Sequence, residues 1–451
     1  MTLSPTLAAV RFGTGLSPQV PAPRGASDML DRLAGPDHMA QRFPQPGWDV
    51  RVAGVMQWIR LRQNRKNGDA AVDAFREHAR VFNAGYHADL ARIVARAART
   101  EDGFRERLAW FWADHFTVSE GQGRLRKTIS GYTEDAVRPY ITGRFGDLLV
   151  SAVMHPAMVS YLDQDRSVGP GSRRGQRGGG LNENLAREVL ELHTLGVGGS
   201  YTQSDVRQLA ELLTGLTVTK EGLPHFQPNS AEPGAEIVLG RSYGQERAAD
   251  SGAIVRVLQD LAVHPDTARH LSAKLARHFL ADTPPDGLVQ AMAVRWIATD
   301  GDLLSVYGVL LDHPVSAEPT LRKVRRPLEF VAAATRALGP VDRLPEQGNR
   351  LIRTMLINPM RLMGQPLQRA PGPDGWPEAA EAWVTPQTLA ARIQWGMDLA
   401  GRWPNLPDPR AFVDTALADL ASPRTRFAAQ AAEDRRSGIG LILSSPEFQR
   451  R

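Results

Sequence analysis

Apolar residues recur at three- and four-residue spacing along most of this chain, and that period predicts a mainly helical protein. The clearest case is Leu181 to Gly215, which reads as two helices joined by a glycine turn at Gly196, Gly198 and Gly199. At about 100° per residue, Leu185, Ala186, Val189, Leu190, Leu192 and His193 fall on one side of the first helix. Glu183, Asn184, Arg187, Glu188, Glu191 and Thr194 fall on the other. Glu188 and Glu191 are neighbours at i and i+3, whereas His193 lies inside the apolar stripe. One undistorted helix therefore cannot aim both glutamates and His193 at a single atom. Thr202 and Asp205 match a capping box that opens the second helix.

The same period marks a helix over 102–116, where Phe104, Leu108, Phe111, Trp112 and His115 share a stripe. It marks others over 253–263, 267–280, 286–298, 303–311, 325–338, 386–402 and 408–420. Residues 52–99 read as helix with breaks at Gly68 and around Phe82–Gly85, and residues 28–48, punctuated by Pro and Gly, read as loop. Pro156 starts a new turn or a kink within a helical 143–162. Over 216–239 the pattern changes to Thr217-Val218-Thr219, His225-Phe226 and Ile237-Val238-Leu239, which predicts a small antiparallel hairpin or flap. The predicted class is mainly α: a multi-helical, orthogonal bundle-like body with a small β flap around 216–240. Its parts are a loop-rich segment 1–50, a helical half 51–215, the flap 216–245, and a second helical half 246–451 holding a Pro/Gly/Trp loop at 358–385.

Composition narrows the function classes. Lys+Arg 54 against Asp+Glu 49 leave only +5 on 451 residues. That is too little for a dedicated nucleic-acid binder, and no basic run interleaved with aromatics is present. The absence of cysteine excludes thiol catalysis, disulfides and thiolate metal sites. No apolar window approaches the length of a membrane span. The first residues lack the features of an export signal, so the expectation is a cytoplasmic protein, periplasmic only if exported with a partner. Residues 166–180 form a Gly/Arg loop that reads as a mobile linker; its amides and arginines can cradle an anion, but its spacing fits no phosphate loop.

The candidate catalytic residues are Glu188, Glu191, His193, Asp114 and His115, because carboxylates and imidazoles on facing helices can divide acid and base roles or hold a divalent metal. Candidate binding residues are Asp163 beside the flexible loop, Asn182, Glu183, Asn184 and Arg187 on the polar helix, and Trp376 in the proline-rich loop. The competing reading makes both histidines core residues and the Glu/Arg face a solvated surface.

Several segments carry a resemblance to a known family: Phe111-Trp112-Ala113-Asp114-His115-Phe116, His155-Pro156-Ala157-Met158, Gly180-Leu181-Asn182-Glu183-Asn184, and Arg187 to Gly198. Others are Lys274-Leu275-Ala276-Arg277-His278-Phe279, Gly364-Gln365-Pro366-Leu367, Pro373-Asp374-Gly375-Trp376-Pro377 and Ser445-Pro446-Glu447-Phe448. Together they resemble, over nearly the whole chain, the bacterial family catalogued as domain of unknown function 1800. The resemblance implies a mainly helical protein, often encoded beside an exported sulfatase- or phosphatase-like protein; it implies no activity. Two segments depart from the family pattern. Family members tend to have His-Asn-His-Phe where this chain has Ala113-Asp114-His115-Phe116. They tend to have His-Asp-Pro-Gly-Pro-Lys where it has Ala231-Glu232-Pro233-Gly234-Ala235-Glu236.

Two functions are therefore expected to compete. One is an enzyme with a carboxylate/histidine site, with or without a divalent metal. The other is a non-catalytic partner or maturation factor for the co-encoded sulfatase/phosphatase-like protein.

Overall fold

The structure, a computed structural model, describes residues 2–121, 125–248, 250–339 and 344–451. Most helices begin where a polar side chain caps the first free amides. Asp102 accepts from Arg105 N, Asp302 from Ser305 N, and Thr202 and Asp205 form the reciprocal capping box. The first half runs through α1 (Trp48–Asn64), α2 (Asp69–Arg99), α3 (Gly103–His115), α4 (Phe145–Val153), the short α5 (Asn184–Glu188) and α6 (Gln203–Leu213). The second runs through α7 (Ser251–Ala262), α8 (Pro265–Phe279), α9 (Asp286–Ala298), α10 (Leu303–Asp312), α11 (Pro327–Ala337), α12 (Pro386–Arg402), α13 (Pro409–Leu417), α14 (Pro423–Ala431) and α15 (Arg435–Ser444). The molecule is mainly α, as the periodicity predicts.

Gly68, at φ +105°, separates α1 from α2. The second expected break is absent. Phe82 and Tyr86, one turn apart, are both buried and anchor α2, and Gly85 lies against the Arg51 guanidinium, where its missing Cβ leaves room. Residues 28–48 also differ from the loop expected there, with helices over Ala26–Ala34 and His38–Arg42. The first buries Met29 and Leu33 at i and i+4, and Asp37 caps the second; both are too short for periodicity to reveal.

Between α6 and α7 the flap consists of two separate hairpins. β1 (Leu216–Val218) pairs with β2 (Pro224–Phe226), and β3 (Pro233–Val238) pairs with β4 (Arg241–Ala248), so the β region extends past the expected 240. Leu239 and Gly240, both at positive φ, make the two-residue turn of the second hairpin. The Gly/Arg loop is not a free linker. Gly169 N and Arg174 N donate to Ser230 O and Asn229 O, and Gly171 N donates to the Glu232 carboxylate at 2.8 Å. The anion that the Gly171 amide holds is the chain's own.

Glu236 of β3 packs against Glu211 of α6, and its carboxyl is pushed up to about 7 by burial, with repulsion from Glu211 and Glu232 added. The folded state therefore keeps a proton that the unfolded chain, ordinarily near 4.5, has lost. This contribution is complete below the unfolded value and disappears as pH rises through about 7. Glu236→Gln is expected to remove a loss of about 1–2 kcal/mol between pH 5 and 8. Superimposable pH–stability curves for parent and variant would refute this.

Two apolar cores organise the body. The larger includes Phe12, Trp112, Leu148, Leu190, Leu275 and Tyr307. The smaller packs Leu90 and Val94 of α2 with Phe330, Trp395, Phe412 and Ile439. Helices α3 and α8 belong to the first and α11 to the second, and their charged side chains meet at the seam between the two.

Candidate functional site

The last turn of α3 delivers two adjacent residues in different directions. Phe111, Trp112 and Phe116 pack around the His115 ring and hold it in the core, while Asp114 points toward the loop after Met363. That loop docks through Gly375, whose φ of +83° lets the backbone pass directly over Asp114. Trp376 N then donates to Asp114 Oδ1 at 2.9 Å, and Arg326 Nη1 to Oδ2 at 2.7 Å.

From Asp114 a buried ionic network runs inward. Arg326 Nη2 contacts Glu378 Oε1 at 2.6 Å, and the same oxygen accepts from His278 Nδ1 at 2.7 Å. His278 Nε2 accepts from Arg107 at 3.1 Å, and Arg107 and Arg451 both pair with Glu329, at 3.0 and 2.7 Å. Three carboxylates thus face three guanidiniums. His278 is held neutral, its value lowered to about 3 by burial, because one nitrogen must donate and the other accept. Burial lowers Arg107 to about 9, whereas the carboxylates around Arg326 hold its guanidinium charged despite burial. Arg326, Lys323 and His278 keep Glu378 well below the usual carboxylate range, overcoming its burial.

One turn before His278 on α8, Lys274 points to His115. Its Nζ lies 3.1 Å from His115 Nδ1, and His115 Nε2 donates to His193 O at 3.3 Å. A carbonyl only accepts, so His115 carries its proton on Nε2 and takes a hydrogen bond from the lysine. Among the described residues no carboxylate stands within salt-bridge distance of Lys274. Burial lowers its pKa although Asp114, Glu378 and Asp374 oppose the shift. His193 and His270, lowered to about 3 and about 4, complete a neutral imidazole lining.

Asp374, on the docked loop, also faces the polar helix. Burial raises the Glu188 carboxyl, and repulsion from Glu191 and Asp374 adds to it; Tyr161 hydrogen-bonds Ser119 and feels the charges of Glu188 and Asp374. Asp374 thus acts both on a lysine with a depressed pKa and on a glutamate with a raised one.

The sequence candidates separate accordingly. After α5 the helix widens into a π turn over Val189–His193, the distortion that Glu188, Glu191 and His193 would need to converge. They still do not. His193 is 1% exposed, with Nδ1 unpartnered in the core, and both glutamates remain on the half-buried outer face. Glu191 pairs with Arg187 and bonds Tyr201. Glu183 pairs with Arg187 and accepts from Gln203, and Asn184 is exposed. Asn182 Nδ2 donates to Leu162 O and Asp163 O, a loop-holding role. Asp163, in the left-handed region, makes a surface ion pair with Arg166. Trp376 contributes its amide to Asp114 and its ring to Trp383. Among the described residues no three His, Asp or Glu side chains are grouped to hold a metal ion. Sequence reasoning missed Lys274, Asp374, Arg326, His278 and Glu378. The available signal was His270, Lys274 and His278 at four-residue spacing on an otherwise apolar helix face.

These features define a helical protein with a buried lysine–histidine–carboxylate centre beneath a glycine–proline loop. The chain belongs to the family described as Protein of unknown function (DUF1800), which residues 8–450 match. No curated protein and no solved structure matches it. Among the described residues no helix is long and apolar enough to cross a membrane.

Proposed function

We propose that this protein is an enzyme of proton-transfer or amine-nucleophile chemistry, with Lys274 as the reacting base and Glu188 as the opposing acid. The observation that carries the reading is a mostly buried amine bonded to a neutral imidazole with, among the described residues, no carboxylate in contact. Such an amine loses its proton more readily than a solvated lysine. Once neutral it still donates one N–H to His115 and keeps its lone pair for a substrate. Glu188, whose carboxyl is raised, can return a proton, so the two groups are shifted toward each other, as acid–base pairs require. Asp114, fixed by Arg326 and Trp376 N, acts as a positioning residue. Glu191 and His193 support the helix rather than the reaction. The divalent metal entertained from sequence finds no ligand group among the described residues to support it.

The chain has only five lysines, which makes a direct test practicable. After reductive ¹³C-methylation, the resonance that Lys274→Arg removes is expected to titrate below those of solvent-exposed lysines. Lys274 titrating together with them would end this reading.

A second reading, the non-catalytic partner of a sulfatase/phosphatase-like protein, is supported by exposed Leu389 and Ile393 on α12, Phe427 on α14 and Leu441 on α15, three helices packed together. It predicts that charge changes at these positions abolish association with that protein while Lys274→Arg leaves it intact.

A further inference from the structure

Asp114 also lines a cavity of about 170 Å³ whose walls include neither Lys274 nor Glu188. Its walls are mainly apolar, formed by Leu90, Ile93, Ala109, Ala113, Ile129 and Met360. Ala109 and Ala113 lie one turn apart on α3, and their small side chains leave the space open. Trp110 and Trp376 add flat aromatic surface. An engineered apolar cavity of about 150 Å³ accommodates benzene, so the volume suits a molecule of one ring.

The polar groups on the wall narrow the chemistry. Arg96 pairs with Glu134, Arg138 with Glu106, Arg326 with Asp114 and Glu329 with Arg107, all at 3.0 Å or less. A charged ligand would have to break one of these pairs in a buried setting, at a cost that a single-ring molecule cannot recover. Gln45 and Gln368 are different. Both line the cavity, and the Oε1 of each is buried without a hydrogen-bond partner. Unpaired buried acceptors are rare and costly. Gln368 is also held at φ +54°, a conformation that side chains other than glycine seldom adopt, which places it on this wall.

We infer that the cavity is a binding site for a neutral, ring-sized, mostly apolar molecule carrying a hydroxyl or N–H donor, whose hydrogen bond the carbonyl oxygen of Gln45 or Gln368 accepts.

The test titrates the full chain with phenol, benzene and benzoate, read by calorimetry or ligand-observed NMR. Phenol is expected to bind about tenfold more tightly than benzene, the worth of one buried hydrogen bond, and benzoate to bind much more weakly than either. The double substitution Gln45→Leu/Gln368→Leu is expected to remove the advantage of phenol while benzene binding survives. Ala113→Leu should weaken phenol and benzene together by at least tenfold; if it does not fold, Ala109→Val provides the same filling test with one methyl fewer. Equal binding of phenol and benzene, tightest binding of benzoate, no binding of any probe, or indifference to the filling variant would overturn the inference. Lys274→Arg should leave phenol binding unchanged, so this site and the proposed reaction fail or survive separately.

Discussion

Arg326→Met is expected to lower the unfolding free energy by about 3–5 kcal/mol, the cost of leaving buried charges without their partner. Arg326 is, among the described residues, the one cation that touches both Asp114 and Glu378. Without it Asp114 retains the Trp376 amide, and Glu378 retains His278 and the more distant Lys323. Burial of both carboxyls then opposes their charge, so protonation becomes the easier response. The triple variant Arg326→Met/Asp114→Asn/Glu378→Gln should recover much of the loss, because no charge is then stranded. Urea denaturation followed by tryptophan fluorescence measures both. A single-variant loss under about 1 kcal/mol would mean that water reaches this network and that it does not hold the two cores together.

Gly375→Ala should undock the loop over Asp114 while leaving the helices folded. An added Cβ would sit 2.6 Å from Asp114 O and 2.7 Å from its Oδ1, neither of which can move without disturbing α3. Holding a non-glycine residue in the left-handed region costs about 1–2 kcal/mol, and losing the Trp376 N–H bond to a carboxylate adds about 1.5–3 kcal/mol. A penalty of about 3 kcal/mol favours the undocked state roughly 150-fold. Hydrogen exchange of amides over 372–380 should therefore accelerate by at least about 100-fold, with Trp376 emission shifting to the red. Unchanged exchange across that segment would show that the docking geometry does not depend on glycine.

What the sequence revealed and what it concealed follow from the range of the interactions. Asp286–Ala298 was readable to the residue because its stripe packs one face and turns mark both ends. The capping box at Thr202 was equally local. The π turn after Glu188 was hidden, since Leu185, Val189 and Leu190 satisfy the ordinary helical period whichever way the following turn closes. Asp114 and His115 were flagged as a pair, but their partners Arg326 and Lys274 lie 212 and 159 residues away. No spacing rule joins such positions. Glu183, Arg187 and Glu191, conspicuous in one dimension, turn out to form half-exposed i,i+4 ion pairs, each worth a few tenths of a kcal/mol. Lys274 was inconspicuous for the opposite reason: a lysine on an amphipathic helix normally turns to water, and here its amine turns to His115.

The orientation of the His115 ring determines how hydrogen ions can travel through the centre. With Nε2–H committed to a main-chain oxygen inside the core, the ring has no exit on its far side. Taking up a second hydrogen ion at Nδ1 would create a cation where burial and Lys274 both oppose it. The imidazole therefore blocks relay in that direction, and anything the amine gains or loses must pass on a side other than the ring, where Asp374 acts on it. Solvent isotope exchange at this nitrogen should accordingly follow the motion of the overlying loop rather than that of the helices beneath.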